Sequence, residues 1–371
     1  MPNHITERIQ KIRERLGKSD IDTFWVLAEE NRYYLSGFRG EDGQFDESAG
    51  VLFITADRCV LATDSRFELQ AGAEAPDFEV VCYRKSLSDS ISEIFADLKT
   101  RKVGFEGVRM SVAQHEKIAG RLKEDGLSVQ MISTEGWVEE LRSIKTEAEI
   151  QAIRKALNLA ETAFSNILSG IKPGVTEKQL AWALEKAMRE AGADGLSFPV
   201  IAAAGPNSAL PHAIAGNRPI EAGEPILLDW GARLDGYCSD ISRTLIRGTP
   251  DKKFQTLYAI VREAQQKAIE SIRPGIGGRE VDQIARNHIA RMGYGEYFGH
   301  GLGHGVGLRV HEHPRLGPSS DQTLVPGMVA TVEPGIYLPQ WGGIRIENMV
   351  WIREDGPEVL NSLDTAMTCL E

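Results

Sequence analysis

Residues 171–192 read IKPGVTEKQLAWALEKAMREAG, and residues 272–293 read IRPGIGGREVDQIARNHIARMG. The two stretches align at a constant offset: Pro173-Gly174 matches Pro274-Gly275, and Gly192 matches Gly293. Each follows a long helical pattern, and each leads to a glycine, five residues and an acid. Gly223 reaches Asp229 through EPILL, and Gly327 reaches Glu333 through MVATV. A single duplication falls well short of a solenoid. It predicts instead two similar halves facing one another around a shared site.

Around this echo the chain divides in two. At 371 residues it exceeds one typical core. The first part alternates a helix near 5–17, the strand-like runs TFWVLA, GVLFIT and RCVLAT, a helix near SLSDSISEIFADLKT and the strand KVGFEG. That alternation predicts a small α/β layer domain. A break follows around 139–145. Thr146 and Glu149 then stand in capping-box spacing before a helix with apolar positions Ile150, Ile153, Leu157, Ala160, Phe164 and Ile167. The expected domains are residues 1–140 and 141–371.

Composition narrows the function. Hydrophobic content of 42% and charged content of 26% suit a globular enzyme. A net charge of -11 argues against binding nucleic acid by phosphate neutralisation. No run of 18 apolar residues occurs, so no membrane span is expected. The charged amphipathic start does not read as a secretory signal. Cys59, Cys82, Cys238 and Cys369 show no CxxC spacing, and a reduced cytoplasmic protein is the simplest reading.

Two pairs of acids carry the chemistry. Asp229 ends the apolar run PILLD, and Asp240 lies beyond the hairpin signal Asp235-Gly236. With those two residues as the loop, Asp240 opposes residue 231, so both carboxylates emerge on one sheet face as diagonal neighbours. Glu333 ends VATVE. In GGIRIEN, Ile344 and Ile346 share one face, and Arg345 and Glu347 the other. Any one of these acids also reads as a solvated strand residue or an ion-pair partner. Four of them, two from each half, do not. Carboxylates so placed repel and lose hydration, and two divalent cations would neutralise their charge. Adding an imidazole gives an O/N ligand set suited to Mn, Co or Zn, with Mn favoured by the carboxylate excess. Paired metals are a known device for hydrolysis.

The window 298–314, FGHGLGHGVGLRVHEHP, holds four of the eight histidines. Spacing alone does not choose the ligand. His300 and His304 are four apart, but their glycines speak against a helix. His311 and His313 alternate as on a strand, so one of them is expected to face the site. Neither an HExxH nor a P-loop is present. His288 sits beside Ile284, Ala285 and Ile289 on a helical pattern and reads as structural; Cys238 has no triad-like setting.

These residues resemble the creatinase/prolidase/aminopeptidase P group of pita-bread metallopeptidases over essentially the whole chain. The resemblance rests on NRYYLSGFRG, TDSRFELQA, PHAIAGNRPI, LLDWGARLDGYCSDISRT, HGLGHGVGLRVHEHP, TVEPGIY and GIRIEN. It implies a small N-terminal α/β domain, a pseudo-two-fold pita-bread catalytic domain and a homodimer. The ligands of two metal ions would be Asp229, Asp240, His304, Glu333 and Glu347. His212, His300 and His311 would contact the substrate, His311 holding its carbonyl. Glu333 would double as the proton acceptor, Arg345 would hydrogen-bond near the site, and Tyr237 would be structural. Arg309 stands where relatives commonly carry an acid, which would shift preference beyond the scissile bond. The implied reaction is hydrolysis between an N-terminal residue and a following proline, in dipeptides or longer peptides. The alternatives are a non-catalytic binding protein on this fold, or another reaction such as a lyase.

Overall fold

The computed structural model describes residues 2–44 and 47–371 and divides the chain into two compact units, Met1–Arg142 and Ser143–Glu371. None of the described helices is long and apolar enough to cross a membrane.

Among its described residues the first unit holds six strands: β1 (Thr23–Val26), β2 (Val51–Thr55), β3 (Cys59–Asp64), β4 (Glu79–Tyr83), β5 (Lys102–Glu106) and β6 (Gln130–Thr134). Their order in one sheet is β4-β3-β2-β1-β5-β6. β1 and β2 pair antiparallel, as do β2 and β3; β1–β5, β5–β6 and β3–β4 are parallel. Helices α1 (Pro2–Lys18), α2 (Glu29–Ser36), α3 (Glu68–Glu74), α4 (Leu87–Asp97), α5 (Val112–Glu124) and α6 (Glu139–Ser143) complete it. The central strands are continuous apolar runs because both faces are buried. Trp25, Phe53 and Phe95 pack as tilted and edge-on rings in the core under α4.

The second unit opens on α7 (Glu147–Ile167). The expected capping box is present: Glu149 Oε2 accepts the Thr146 N–H at 2.9 Å, and Thr146 Oγ1 accepts the Glu149 N–H at 3.4 Å. α8 (Glu177–Glu190) follows. β7 (Gly195–Leu196), β8 (Ile201–Ala204), β9 (Pro225–Trp230), β10 (Ala232–Leu234), β11 (Tyr237–Cys238) and β12 (Ile241–Arg247) come next. The second half repeats the plan with α9 (Lys252–Ser271) and α10 (Gly278–Arg291), then β13 (Gly303–Gly305), β14 (Glu312–Leu316), β15 (Val329–Val332), β16 (Gly335–Leu338), β17 (Gly342–Arg345), β18 (Asn348–Arg353), β19 (Gly356–Val359) and β20 (Thr368–Leu370).

The two larger sheets among the described residues of this unit are β20-β12-β9-β8 and β14-β13-β15-β18-β19, and the smaller ones are β11-β10-β7 and β16-β17. The echo survives in detail, since isolated bridges Thr176↔Pro219 and Gly277↔Thr323 sit at matching points before α8 and α10. α9 and α10 bury Leu257, Val261, Ala264, Val281, Ala285 and Ile289 in one core with Ala330, Val332, Ile344, Ile346 and Val350 of the strands. His288 lies on the buried side of α10, with Nδ1 3.1 Å from Lys267 Nζ and Nε2 3.6 Å from Glu263 Oε2, a structural setting.

Candidate metal centre

Two antiparallel ladders carry the acids to one place. Across β9 and β12, Asp229 pairs with Ser242, and Asp240 lies two residues before Ser242 on the same face. Beyond them β10 and β11 close the hairpin, pairing Leu234 with Tyr237. The two-residue loop Asp235-Gly236 has φ of 50° and 80°, the left-handed pair that a type I′ turn needs. In the other sheet β15 and β18 pair Val332 with Asn348, which puts Glu333 and Glu347 beside one another at the ladder's end. Ile344 and Ile346 point into the core, so Arg345 and Glu347 face the acids.

Carboxylate oxygens of Asp229, Asp240 and Glu347 lie within 4.8 Å of one another. His304, on β13, brings Nε2 to 3.5 Å from Asp240 Oδ2 and 3.2 Å from Glu333 Oε1. Its Nδ1 is 3.1 Å from the Gly305 carbonyl, a contact that fixes Nδ1 as the donor and leaves Nε2 aimed at the carboxylates. Asp229 Oδ1 and Glu347 Oε1 are buried with no hydrogen-bond partner. Buried, unpartnered carboxylate oxygens are costly unless a cation sits among them. The donor set thus fits divalent metal ions.

The titration behaviour has the same origin. Burial pushes Asp240 and Glu347 well above the usual carboxylate range, and neighbouring carboxylates push them further. Asp229 also rises through burial, partly offset by Arg345. Burial would raise Glu333 too, but His304, His300 and Arg345 outweigh it and hold it down at about 2. Among the four acids, then, Asp240 and Glu347 are pushed furthest up and Glu333 is the one held down.

Hydroxyls and a guanidinium fix the carboxylates. Arg345 Nη2 donates to Asp229 Oδ2 at 2.6 Å, Nε to Ser242 Oγ at 2.8 Å, and Nη1 to the Tyr337 hydroxyl at 2.8 Å. Ser242 Oγ donates to Glu347 Oε2 at 2.9 Å. Thr331 Oγ1 accepts the His304 N–H and donates to Glu333 Oε1, each at 3.0 Å. His300 Nδ1 donates to the Gly301 carbonyl at 2.8 Å, so its Nε2 accepts the Tyr337 O–H at 2.9 Å.

A cavity of about 1020 Å³ opens over this cluster. Its lining includes Asp229, Asp240, His304, Glu333, Arg345, His300, His212 and His311. The His311 ring meets that of His304 edge-on at 4.2 Å, and burial lowers His311 to about 4, so it is neutral at pH 7. His212 is exposed on the turn after Ser208. Phe198, Val200, Ile201 and Ile214 form an apolar wall, and the segment 315–322 extends the cavity beyond the cluster.

Several expectations change. His313 lines the cavity along with His311, because His311 precedes β14 instead of alternating within it. The His313 ring is engaged by Gln322 at 2.6 Å. Arg309 is exposed and the cavity lining does not include it. Tyr337, Ser242 and Thr331 were not singled out from the sequence, although Ser242 and Thr331 stand two residues from Asp240 and Glu333 on strands. Tyr237 is structural as expected, its hydroxyl donating to Glu149 Oε1 at 2.9 Å.

A sheet-borne cluster of four acids and a histidine, under an open cavity and between two duplicated halves, defines a metal-dependent hydrolase of the pita-bread class. The profile of the metallopeptidase family M24 matches residues 151–354, and that of the creatinase/prolidase N-terminal domain matches residues 8–144. The chain belongs to this family of metallopeptidases. It is 36% identical to an Xaa-Pro dipeptidase of Pyrococcus horikoshii, covering 97% of this chain and 98% of that protein. Among solved structures it resembles an Xaa-Pro dipeptidase from Bacillus anthracis, with TM-score 0.92, 39% identity and coverage of 99% and 100%. It also resembles an X-Pro aminopeptidase from Thermotoga maritima, with TM-score 0.86, 37% identity and coverage of 96% and 99%.

Proposed function

We propose that the chain is an Xaa-Pro peptidase that hydrolyses the bond between an N-terminal residue and a following proline. Asp229, Asp240, His304, Glu333 and Glu347 would hold two divalent ions, with Mn favoured by the carboxylate-rich set over Co or Zn. The observation that carries this reading is the convergence of those five residues with two carboxylate oxygens buried and unpartnered. When bound, the ions acidify water and polarise a carbonyl. Glu333, ionised and hydrogen-bonded to Thr331, accepts the water's proton and passes it to the leaving nitrogen. His311, neutral, donates a hydrogen bond to the developing oxyanion, with His212 contributing from the turn that also lines the cavity. His300 and Arg345, joined through Tyr337, hold that wall and Asp229 in place. A proline nitrogen offers no N–H, so recognition falls to the apolar wall and the carbonyl.

The cavity's extension toward 315–322 supports substrates longer than a dipeptide. The family resemblance supports a homodimer, and four free cysteines support a reducing, cytoplasmic setting. The test is to strip the protein with chelator, add Mn or Co, and compare an Xaa-Pro dipeptide with an Xaa-Pro-Xaa tripeptide. No bound transition metal and no activity gained on adding either ion would overturn the reading and favour a binding protein. Tripeptide turnover well above dipeptide turnover would identify an aminopeptidase.

A further inference from the structure

One buried charge pair in the second unit lies outside the carboxylate cluster yet adjoins the residue assigned to the oxyanion. Lys145 Nζ donates to Glu312 Oε1 at 2.7 Å, across 167 positions of sequence, with side chains 1% and 6% exposed. Lys145 is itself anchored, because its N–H donates to the Gly327 carbonyl at 2.8 Å at the entry to β15. Glu312 is the first residue of β14 and pairs with Gly305 of β13. The ladder breaks register between His304 and Gly305, so residues 306–311 leave the sheet and return at Glu312. The Glu312 carboxylate packs over Gly307, where a Cβ would meet Oε1 at 2.2 Å, and Cys238 N–H ties the Gly307 carbonyl at 2.8 Å. His311 is thus the last residue of an irregular excursion, and its chain neighbour is pinned by an ammonium group.

We infer that Lys145 is a positioning residue for His311, acting through the buried pair with Glu312. The inference rests on the Xaa-Pro peptidase reading for the role of His311, though not for the geometry. Removing the ammonium breaks the buried pair from one side and takes away the charge-assisted bond to Oε1, which loosens Glu312 toward water. His311 is carried with it, away from its edge-on contact with His304. Displacement of a catalytic group by about 1 Å costs on the order of a hundredfold in rate. The side chain of Lys145 bonds to Glu312 and the Ser143 carbonyl and to none of the four acids or the histidine of the cluster, so metal binding should persist.

The experiment is a double-mutant cycle in the full-length Mn-loaded protein. Lys145→Met should lower kcat by roughly tenfold to a hundredfold, with KM and metal stoichiometry little changed. In a His311→Ala background the same substitution should have almost no further effect on kcat. Lys145→Met combined with Glu312→Gln, which removes both charges of the buried pair, should recover most of the loss. Amide exchange read by mass spectrometry should accelerate over residues 306–312 in Lys145→Met and return toward wild type in the combined variant. An equal fold-loss in both His311 backgrounds, or unchanged exchange over that segment, would overturn the inference. Should Lys145→Met fail to fold, Glu312→Gln supplies the same cycle with smaller amplitude, because its amide carbonyl still accepts from Nζ. If the wild-type chain cleaves no Xaa-Pro peptide, the functional reading has failed, and the exchange comparison still decides the positioning.

Discussion

Gly231 lies on the chain between the two acids of the first carboxylate pair, and its lack of a side chain is a geometric requirement. A Cβ built there would lie 1.9 Å from the Ser239 carbonyl oxygen, 2.8 Å from its carbon and 2.9 Å from Ser197 Oγ. A carbon normally rests about 3.5 Å from such atoms, so Gly231→Ala must part the two chains by roughly 1.5 Å. The obstacle is backbone, which cannot rotate aside. Parting them strains the Ser239 N–H bond to the Ala232 carbonyl and the Ala232 N–H bond to Ser239 Oγ, both 2.9 Å. Overpacking costs about 1–3 kcal/mol, and two weakened hydrogen bonds add about 1 kcal/mol each. The expected loss is therefore about 3–5 kcal/mol. Gly223→Ala is the control: φ is +83° but nothing lies within 4 Å, so only the left-handed backbone cost of about 1–2 kcal/mol applies. Urea unfolding of the metal-free chain, followed by circular dichroism, measures the difference. Asp240 follows Ser239 directly, so a Mn titration by calorimetry should also show affinity reduced at least about tenfold. Equal destabilisation by the two substitutions, with unchanged Mn affinity in Gly231→Ala, would refute the reasoning.

Three further outcomes follow from the same geometry. Thr331→Val keeps the shape but removes the hydroxyl linking the His304 N–H to Glu333, and should weaken Mn binding about 10–100-fold by calorimetry. Adding Mn to the chelated protein at about a hundred times its dissociation constant should stabilise the folded chain by about 3 kcal/mol; an unshifted melting temperature would count against a metal among the four acids. In the first unit, burial raises Glu106 to about 7, with Glu139 adding to it and the Ala28 and Leu27 N–H groups opposing. The folded state therefore holds this proton more tightly than the unfolded chain, so stability falls as pH rises from about 4.5 to about 7, by up to about 3 kcal/mol, and is flat above. Glu106→Gln should flatten that slope in urea unfolding between pH 4.5 and 8.

What the sequence disclosed, and what it did not, follows from the range of each signal. The central strands β1, β2, β3 and β5 announced themselves as apolar runs because both their faces are buried. β4 and β6 escaped because they are the sheet's edges, half wetted, and their residues read as ordinary loop. Asp229 and Asp240 could be paired because Asp235-Gly236 fixes a register across only a few residues. Glu333 and Glu347 came from alternation within each strand together with the duplication. That same alternation places Ser242 and Thr331 on the faces that carry the acids, so both were legible in principle once their neighbours were assigned. Tyr337 needed more, since it shares a face with Arg345 only through the pairing of Gly335 with Arg345 across β16 and β17. The choice among histidines needed the register break after His304, which no local pattern encodes.

The glycines of the histidine-rich window make the point most directly. Glycines beside a cavity suggest room for a substrate, and Gly301 and Gly303 do line it. Yet a Cβ on Gly303 would meet the Thr331 carbonyl oxygen at 2.0 Å, and one on Gly305 the His313 carbonyl oxygen at 2.0 Å. These two residues let β13 lie close against β15 and β14, and that approach sets His304 between Asp240 and Glu333. Glycine here positions the His304 imidazole by allowing backbones to touch. Gly303→Ala should therefore impair Mn affinity before it impairs substrate access. With Mn raised to saturation in the assay, KM for an Xaa-Pro peptide should stay near the wild-type value; a raised KM with unaltered Mn affinity would restore the substrate-room reading.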